Sequence, residues 1–165
     1  MAREKYHVAH GRPTEFARRV KRSDALAQLS REHHHGLIVA QRLNRATAAT
    51  AAAARDAFLR FWEQEGHQHF RVEEDVLLPA LARHCSPTHD AVVRVVTDHI
   101  DIRRRAIDVA GDPTPDELRA LGDRLHAHIR HEERMLFPLI EATLPDHELA
   151  TLAVALEQAQ EQHDR

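Results

Sequence analysis

The sequence has almost no cysteine, the residue that disulfides and thiolate metal sites require. Its 165 residues include one cysteine, Cys85. A single cysteine cannot form a disulfide within the chain, and it cannot supply the several thiolates that thiolate zinc sites and iron–sulfur clusters use. The sequence therefore excludes an internal disulfide framework and a thiolate metal cluster.

Long apolar segments and a large excess of one charge are also absent. The longest run without a charged residue is the nine residues 46–54, whereas a membrane helix needs about 20 apolar residues. The net charge is −3 with neutral histidines, which gives no electrostatic reason to bind nucleic acid. Residues 1–11 are polar and lack the apolar segment of a secretory signal. We therefore expect a cytoplasmic protein that binds neither nucleic acid nor a membrane.

The composition is otherwise that of one folded domain with many histidines. Hydrophobic residues make up 42% of the chain and charged residues 30%, and there are 15 histidines. Residues 1–22 carry seven Lys or Arg against two Glu and lack helical spacing, which predicts a basic N-terminal arm. We predict a folded domain over residues 23–145 and a C-terminal helix or tail over residues 146–165.

Apolar residues recur at helical spacing in four long segments. The first segment spans residues 24–46, and the second ends near residues 85–88. The third spans residues 92–109, and the fourth begins at a Thr114–Glu117 capping box and ends at Leu144. The alanine-rich residues 47–54 are predicted as a turn or a weak helical join. Because no segment has a strand pattern, we predict an all-α, up-down antiparallel four-helix bundle followed by a short helix at about residues 148–160.

An internal repeat on the second and fourth helices carries the strongest functional pattern. His69-Phe-Arg-Val-Glu73-Glu-Asp-Val-Leu-Leu-Pro79 matches His128-Ile-Arg-His-Glu132-Glu-Arg-Met-Leu-Phe-Pro138. Residues four apart lie on one face of a helix, so each copy sets an imidazole beside a carboxylate. Two such pairs on separate helices predict a metal site.

The first and third helices add further histidines near the middle of their apolar faces. His99 is the candidate on the third helix. On the first helix, His33 fits the apolar face better. His34 lies three residues before an aliphatic residue, as His99 does, so both His33 and His34 are candidates. Four histidines and two glutamates favour a transition metal such as Fe or Mn, and Zn also fits these ligand types. Six ligands exceed the needs of one tetrahedral ion and suit two ions.

These residues resemble the hemerythrin-like (HHE cation-binding) family over about residues 26–144. The resemblance implies a bundle that holds a non-haem di-iron centre. It also implies a ligand set from all four helices, with the two glutamates bridging the irons: His33 or His34, His69, Glu73, His99, His128 and Glu132.

The sequence departs from the oxygen-carrying members of that family. Arg103 occupies the place of a second histidine on the third helix, and Glu132 and Glu133 replace a single aspartate on the fourth. The resemblance therefore implies binding of O₂, peroxide or NO in sensing, redox or detoxification, with an unidentified redox or protein partner. The alternative is a metal-stabilised interaction module, or an iron sensor or store, without gas chemistry. We do not expect a conventional enzyme, and oxidoreductase-type di-iron chemistry is the alternative.

Overall fold

The computed structural model describes residues 22–161, and every regular element in that range is helical. A 3₁₀ turn at Asp24–Leu26 leads into the first of five helices. Their bounds are Ala27–Asn44 for α1, residues 51–82 for α2, Asp90–Asp108 for α3, residues 115–143 for α4 and Asp146–Glu161 for α5. The predicted all-α class is confirmed, and the described residues contain no strand.

Helix boundaries follow the local sequence closely, with one difference. The Thr114 side chain accepts a hydrogen bond from the Glu117 backbone N–H, which confirms the predicted capping box at the start of α4. The join predicted over residues 47–54 is divided, because α2 already begins at Ala51. Alanine is the strongest helix former, so the alanines after Thr50 form the first turn of α2. The predicted basic arm lies outside the described residues except for Arg22.

Helices α2 and α4 each contain wider π-helical turns. These turns are Trp62–Gly66 and Glu73–Leu77 in α2 and Glu132–Leu136 in α4. The last two begin at the repeated glutamates and end two residues before Pro79 and Pro138. Prolines lack the N–H that an α-helical turn needs, and π turns of this kind are frequent at functional sites.

The long helices pack side by side, and α5 covers one end of the assembly. Helix α1 contacts α2 and α4, α3 packs against α4, and α5 lies against α2 and the turn before α1. Helix α1 comes close to α4 at Gly122, where an added Cβ would lie 2.8 Å from the carbonyl oxygen of Ala40. None of the helices described is long and apolar enough to cross a membrane.

Two apolar clusters fill the interior, with a polar layer between them. The first apolar cluster includes Leu43, Phe58, Ile102, Leu121 and Leu125. The second apolar cluster includes Leu29, Leu77, Val95, Leu136 and Phe137. Along α1 and α3 the chain passes from the second cluster to the first, and along α2 and α4 it passes from the first to the second. On α1 and α3 the buried histidine lies between the two clusters, and on α2 and α4 it lies one residue before the last member of the first cluster.

Candidate metal centre

Six buried side chains from four helices meet in the polar layer. They form two groups of four ligand atoms, and within each group all atoms lie within 4.8 Å of one another. One group consists of His33, His69, Glu73 and Glu132. The other group consists of Glu73, His99, His128 and Glu132. Glu73 and Glu132 therefore belong to both groups.

Of the seven candidates from the sequence, the structure brings six together and leaves His34 apart. His33 is only 3% exposed, whereas His34 lies on the exposed face of α1 and belongs to neither group. The reason is the position of α1, whose apolar face continues through Leu29 and His33 into the interior. His33 is thus the first-helix residue that reaches the centre.

The distances between donor atoms suit metal coordination. In the first group, His33 Nε2 lies 3.0 Å from His69 Nε2 and 3.1 Å from Glu132 Oε2. In the second group, His128 Nε2 lies 3.2 Å from Glu132 Oε2, and His99 Nε2 lies 3.3 Å from Glu73 Oε2. Two adjacent ligands on one ion, each bound at about 2.1 Å, would be about 3 Å apart.

Several of these buried atoms have no hydrogen-bond partner within the described chain. They are both carboxylate oxygens of Glu73 and of Glu132, Nε2 of His99, and both ring nitrogens of His128. An unpartnered buried polar group is costly, and an unpartnered buried carboxylate is more so. Because these atoms are oxygen and imidazole nitrogen donors, bound transition-metal ions would satisfy them. The residues therefore fit a metal centre.

A second layer of carboxylates orients the imidazole rings. Three of the histidines place Nδ1 within 2.7–2.8 Å of a carboxylate oxygen on the neighbouring helix. The pairs are His33 with Glu133, His69 with Glu32, and His99 with Glu74. A carboxylate at Nδ1 fixes the tautomer that leaves Nε2 free to bind a metal.

His128 differs from the other three histidines. The nearest carboxylate to its Nδ1 is that of Asp98, at 3.9 Å, which is too far for a hydrogen bond. Asp98 is itself held by Arg94 and Arg124, each at 2.8 Å. The fourth imidazole is therefore held by packing: its ring lies edge-on to those of His99 and Phe70.

The sequence predicted only part of this second layer. The position of Glu74 and Glu133, directly after Glu73 and Glu132 in the repeat, predicts hydrogen-bond or salt-bridge residues beside the site, and the structure places both at the Nδ1 of a histidine. Glu32 and Asp98 were not singled out. Each directly precedes a buried histidine, His33 or His99, and this repeated acid–histidine pair was the pattern that could have indicated them.

The pKa shifts of the candidate ligands run in opposite directions. Burial would lower the pKa of His99, but the carboxylates of Glu132, Glu73 and Glu74 outweigh burial and raise the pKa to about 10. Burial dominates at His128 and lowers its pKa to about 4. Burial also opposes ionisation of Glu73, yet the facing imidazoles hold the pKa of that carboxyl well below its usual range.

A small apolar cavity lies against the first group of ligands. Its volume is about 20 Å³, which is enough for one water-sized molecule. Its apolar wall includes Gly36, Phe61, Leu125 and Ile129, and His33, His69 and His128 also line it. The cavity can therefore admit a small uncharged molecule beside the candidate ligands.

Comparison with known proteins yields one match. The model of the hemerythrin HHE cation-binding domain matches residues 24–140, which is more than half of the chain and includes all six residues of the centre. No curated protein and no solved structure matches the chain.

Proposed function

Since the chain belongs to the hemerythrin HHE cation-binding domain family, we propose that it binds two iron ions among its four long helices. We propose further that this centre binds O₂, peroxide or NO in a sensing, redox or detoxification role. The observation that carries the proposal is the pair of four-ligand groups that share Glu73 and Glu132.

The proposal includes an up-down antiparallel arrangement of the four long helices. The alternating order in which α1, α2, α3 and α4 pass the two apolar clusters supports this arrangement. Neighbouring helices that run in opposite directions place the middle of each helix at the same level. All four imidazoles can then converge on one layer.

Two ions explain the shared glutamates better than one ion does. Each group offers two imidazoles of its own and one oxygen from each glutamate. A carboxylate that spans two ions uses both of its oxygens, and here all four glutamate oxygens lack other partners. Paired ions in other two-metal sites lie about 3.5–4 Å apart, which one carboxylate can span.

Iron is the metal we propose, with manganese and zinc as alternatives. Mixed imidazole and carboxylate ligands suit iron, and iron in such a set supplies a ferrous–ferric couple and positions where a small ligand can bind. The chain's own contribution is to hold the imidazoles through Glu32, Glu74 and Glu133, and to provide an apolar cavity beside them. Such a cavity favours small, weakly polar molecules such as O₂ and NO over charged ones.

Iron stoichiometry tests the proposed centre directly. Anaerobic reconstitution with Fe(II) should give about two irons per chain. His128→Ala should lose most of this iron, because the second group then lacks one of its two imidazoles. His126→Ala is the matched control, since His126 lies on the exposed face of the same helix. Equal iron content in the two variants would refute the assignment.

Exposure to gas separates the proposed role from its alternative. The iron-loaded protein should change its visible spectrum on addition of air or NO, and the metal-free protein should remain folded. If chelation unfolds the helices, and neither gas changes the spectrum of the iron form, the metal instead stabilises an interaction or regulatory module.

A further inference from the structure

A polar vestibule opens from the surface of the protein onto the candidate metal centre. Its volume is about 330 Å³. Four glutamines line it together with Glu32, Glu65, His69 and Val72. The glutamines come from α1, α2 and α5, so the vestibule lies where these three helices meet.

The vestibule reaches the centre through His69. Glu32, Glu65 and His69 line both the vestibule and the apolar cavity, so the two spaces adjoin at these side chains. At 9% exposure, His69 is the most exposed of the six candidate ligands. Glu73 Oε1 lies 3.3 Å from His69 Nε2 and is buried and unpartnered. The vestibule therefore leads to the first donor atoms that an incoming ion would need.

The lining of the vestibule matches the chemistry of a divalent cation. It offers carboxylate and amide oxygens, which bind hydrated divalent ions, and among the residues that the structure describes no lysine or arginine lines it. Glu32 is its innermost carboxylate. Gln28 and Gln160 donate to Glu32 Oε1 at 2.9 and 2.8 Å, and His69 Nδ1 lies 2.7 Å from Glu32 Oε2.

Glu65 stands farther out in the vestibule. Its carboxylate contacts His35, which is half exposed, at 2.8 Å. Within residues 22–161, Glu65 makes its hydrogen bonds and ion pair with His35 and none with the six candidate ligands, so its charge can be removed without disturbing their hydrogen bonds. Glu65 and Glu32 together form two successive carboxylates between the solvent and His69.

We infer that this vestibule is the route by which a divalent cation enters and leaves the buried centre, with Glu65 attracting the ion and Glu32 receiving it beside His69. This inference rests on the proposed metal centre and assigns it an entry path. The six candidate ligands are only 0–9% exposed, so an ion that enters from solvent must pass the side chains that cover them.

The rates of Fe²⁺ uptake and release test the route. In Gln64→Trp, an indole at the vestibule should slow anaerobic uptake of Fe²⁺ and its release to excess chelator by the same factor. The final stoichiometry and the equilibrium affinity should stay unchanged, because a narrowed path affects both directions equally. Gln41→Trp is the control, since Gln41 lines a different surface depression beside α1.

A charge variant gives a second, milder test. Glu65→Gln should slow uptake about threefold at low salt, and the difference should vanish at high salt, because attraction of a cation by an exposed charge is screened. Glu63→Gln, an exposed neighbour in the same helix, should load like the wild type. Unchanged rates in both Gln64→Trp and Glu65→Gln overturn the route, as does equal slowing in the controls. A wild-type chain that takes up no Fe²⁺ overturns the proposed centre itself.

Discussion

Single residues determine which nitrogen faces the centre in three of the four imidazoles. Glu133, Glu32 and Glu74 each occupy the Nδ1 side of one histidine, so Nε2 points to the candidate ions. The carboxylates are in turn fixed by other groups. Arg103, for example, contacts both oxygens of Glu74 at 2.6 and 3.0 Å. Such chains keep a ligand rigid before the metal arrives.

Removing the charge behind His99 should weaken metal binding without removing a ligand. Glu74→Gln should lower the affinity for Fe²⁺ about tenfold or more, because the imidazole ring then lacks the carboxylate that orients it and raises its basicity. Competition with a chelator of known affinity measures the change. Asp75→Asn is the control, since Asp75 is the exposed neighbour of Glu74. Equal affinities in the two variants would contradict this role for Glu74.

The sequence predicted which of the repeated residues lie together, because helical spacing alone places them side by side. His69 and Glu73, like His128 and Glu132, are four residues apart, so one backbone geometry determines both pairs. The choice between His33 and His34 depended instead on how α1 is rotated against its neighbours. Spacing within one helix does not determine that rotation, and the packing of Leu29 and His33 into the interior does.

At the scale of helices, the π turns that begin at Glu73 and Glu132 show what sequence patterns leave out. Pro138 inside α4 predicts a bend in the helix, but it does not predict the widened turn that begins at Glu132. The backbone N–H of Phe137 donates to the carbonyl of Glu132, five residues back. Proline cannot continue this pattern to Glu133. The carbonyl of Glu133 instead accepts a hydrogen bond from Arg22 at 2.9 Å.

Close packing of α1 on α4 depends on the missing side chain of Gly122. Gly122→Ala should destabilise the protein by about 1–3 kcal/mol, because the new methyl group would overlap Leu43 and the carbonyl of Ala40. Thermal unfolding measures the loss. Gly111→Ala is the control, since an added Cβ there would approach nothing closer than 4.0 Å and Gly111 has no positive φ. Equal melting temperatures would contradict close contact at Gly122.

Across the whole molecule, a charged layer divides the apolar interior. The sequence predicted the helices and their buried faces, because apolar residues recur at helical spacing. It did not predict how the charges of the buried histidines and carboxylates compensate one another without metal, since that depends on contacts between helices. His33 and His69, like His99, have a raised pKa despite burial, because carboxylates face them: Glu132 and Glu133 at His33, and Glu73 and Glu32 at His69. His128 alone of these four has a lowered pKa.

These opposite shifts should give the metal-free protein greatest stability near pH 6.5. The pKa of His99 is raised to about 10, so its contribution to stability is complete below about pH 6.5 and is lost as the pH rises towards 10. The pKa of His128 is lowered to about 4, so stability is lost as the pH falls from about 6.5 to 4, where only the unfolded chain takes up the proton. Melting temperatures across pH 4–9 measure both limbs.

Metal loading should change this profile in a defined way. Bound imidazoles are neutral at Nε2, so the loss of stability on the alkaline side should disappear in the loaded protein. The loss on the acid side should become steeper, because protons then compete with the metal for the ligands. A metal-free protein that melts at one temperature throughout pH 6.5–9 would contradict the raised pKa values.

The shared glutamates also determine when the centre could first form during synthesis. Both four-ligand groups include Glu132, which lies in the last of the four long helices. A growing chain that has emerged only through α3 already carries three of the histidines but cannot complete either group. Loading with metal would therefore follow the emergence of α4 from the ribosome, and a fragment comprising either half of the repeat would complete neither group.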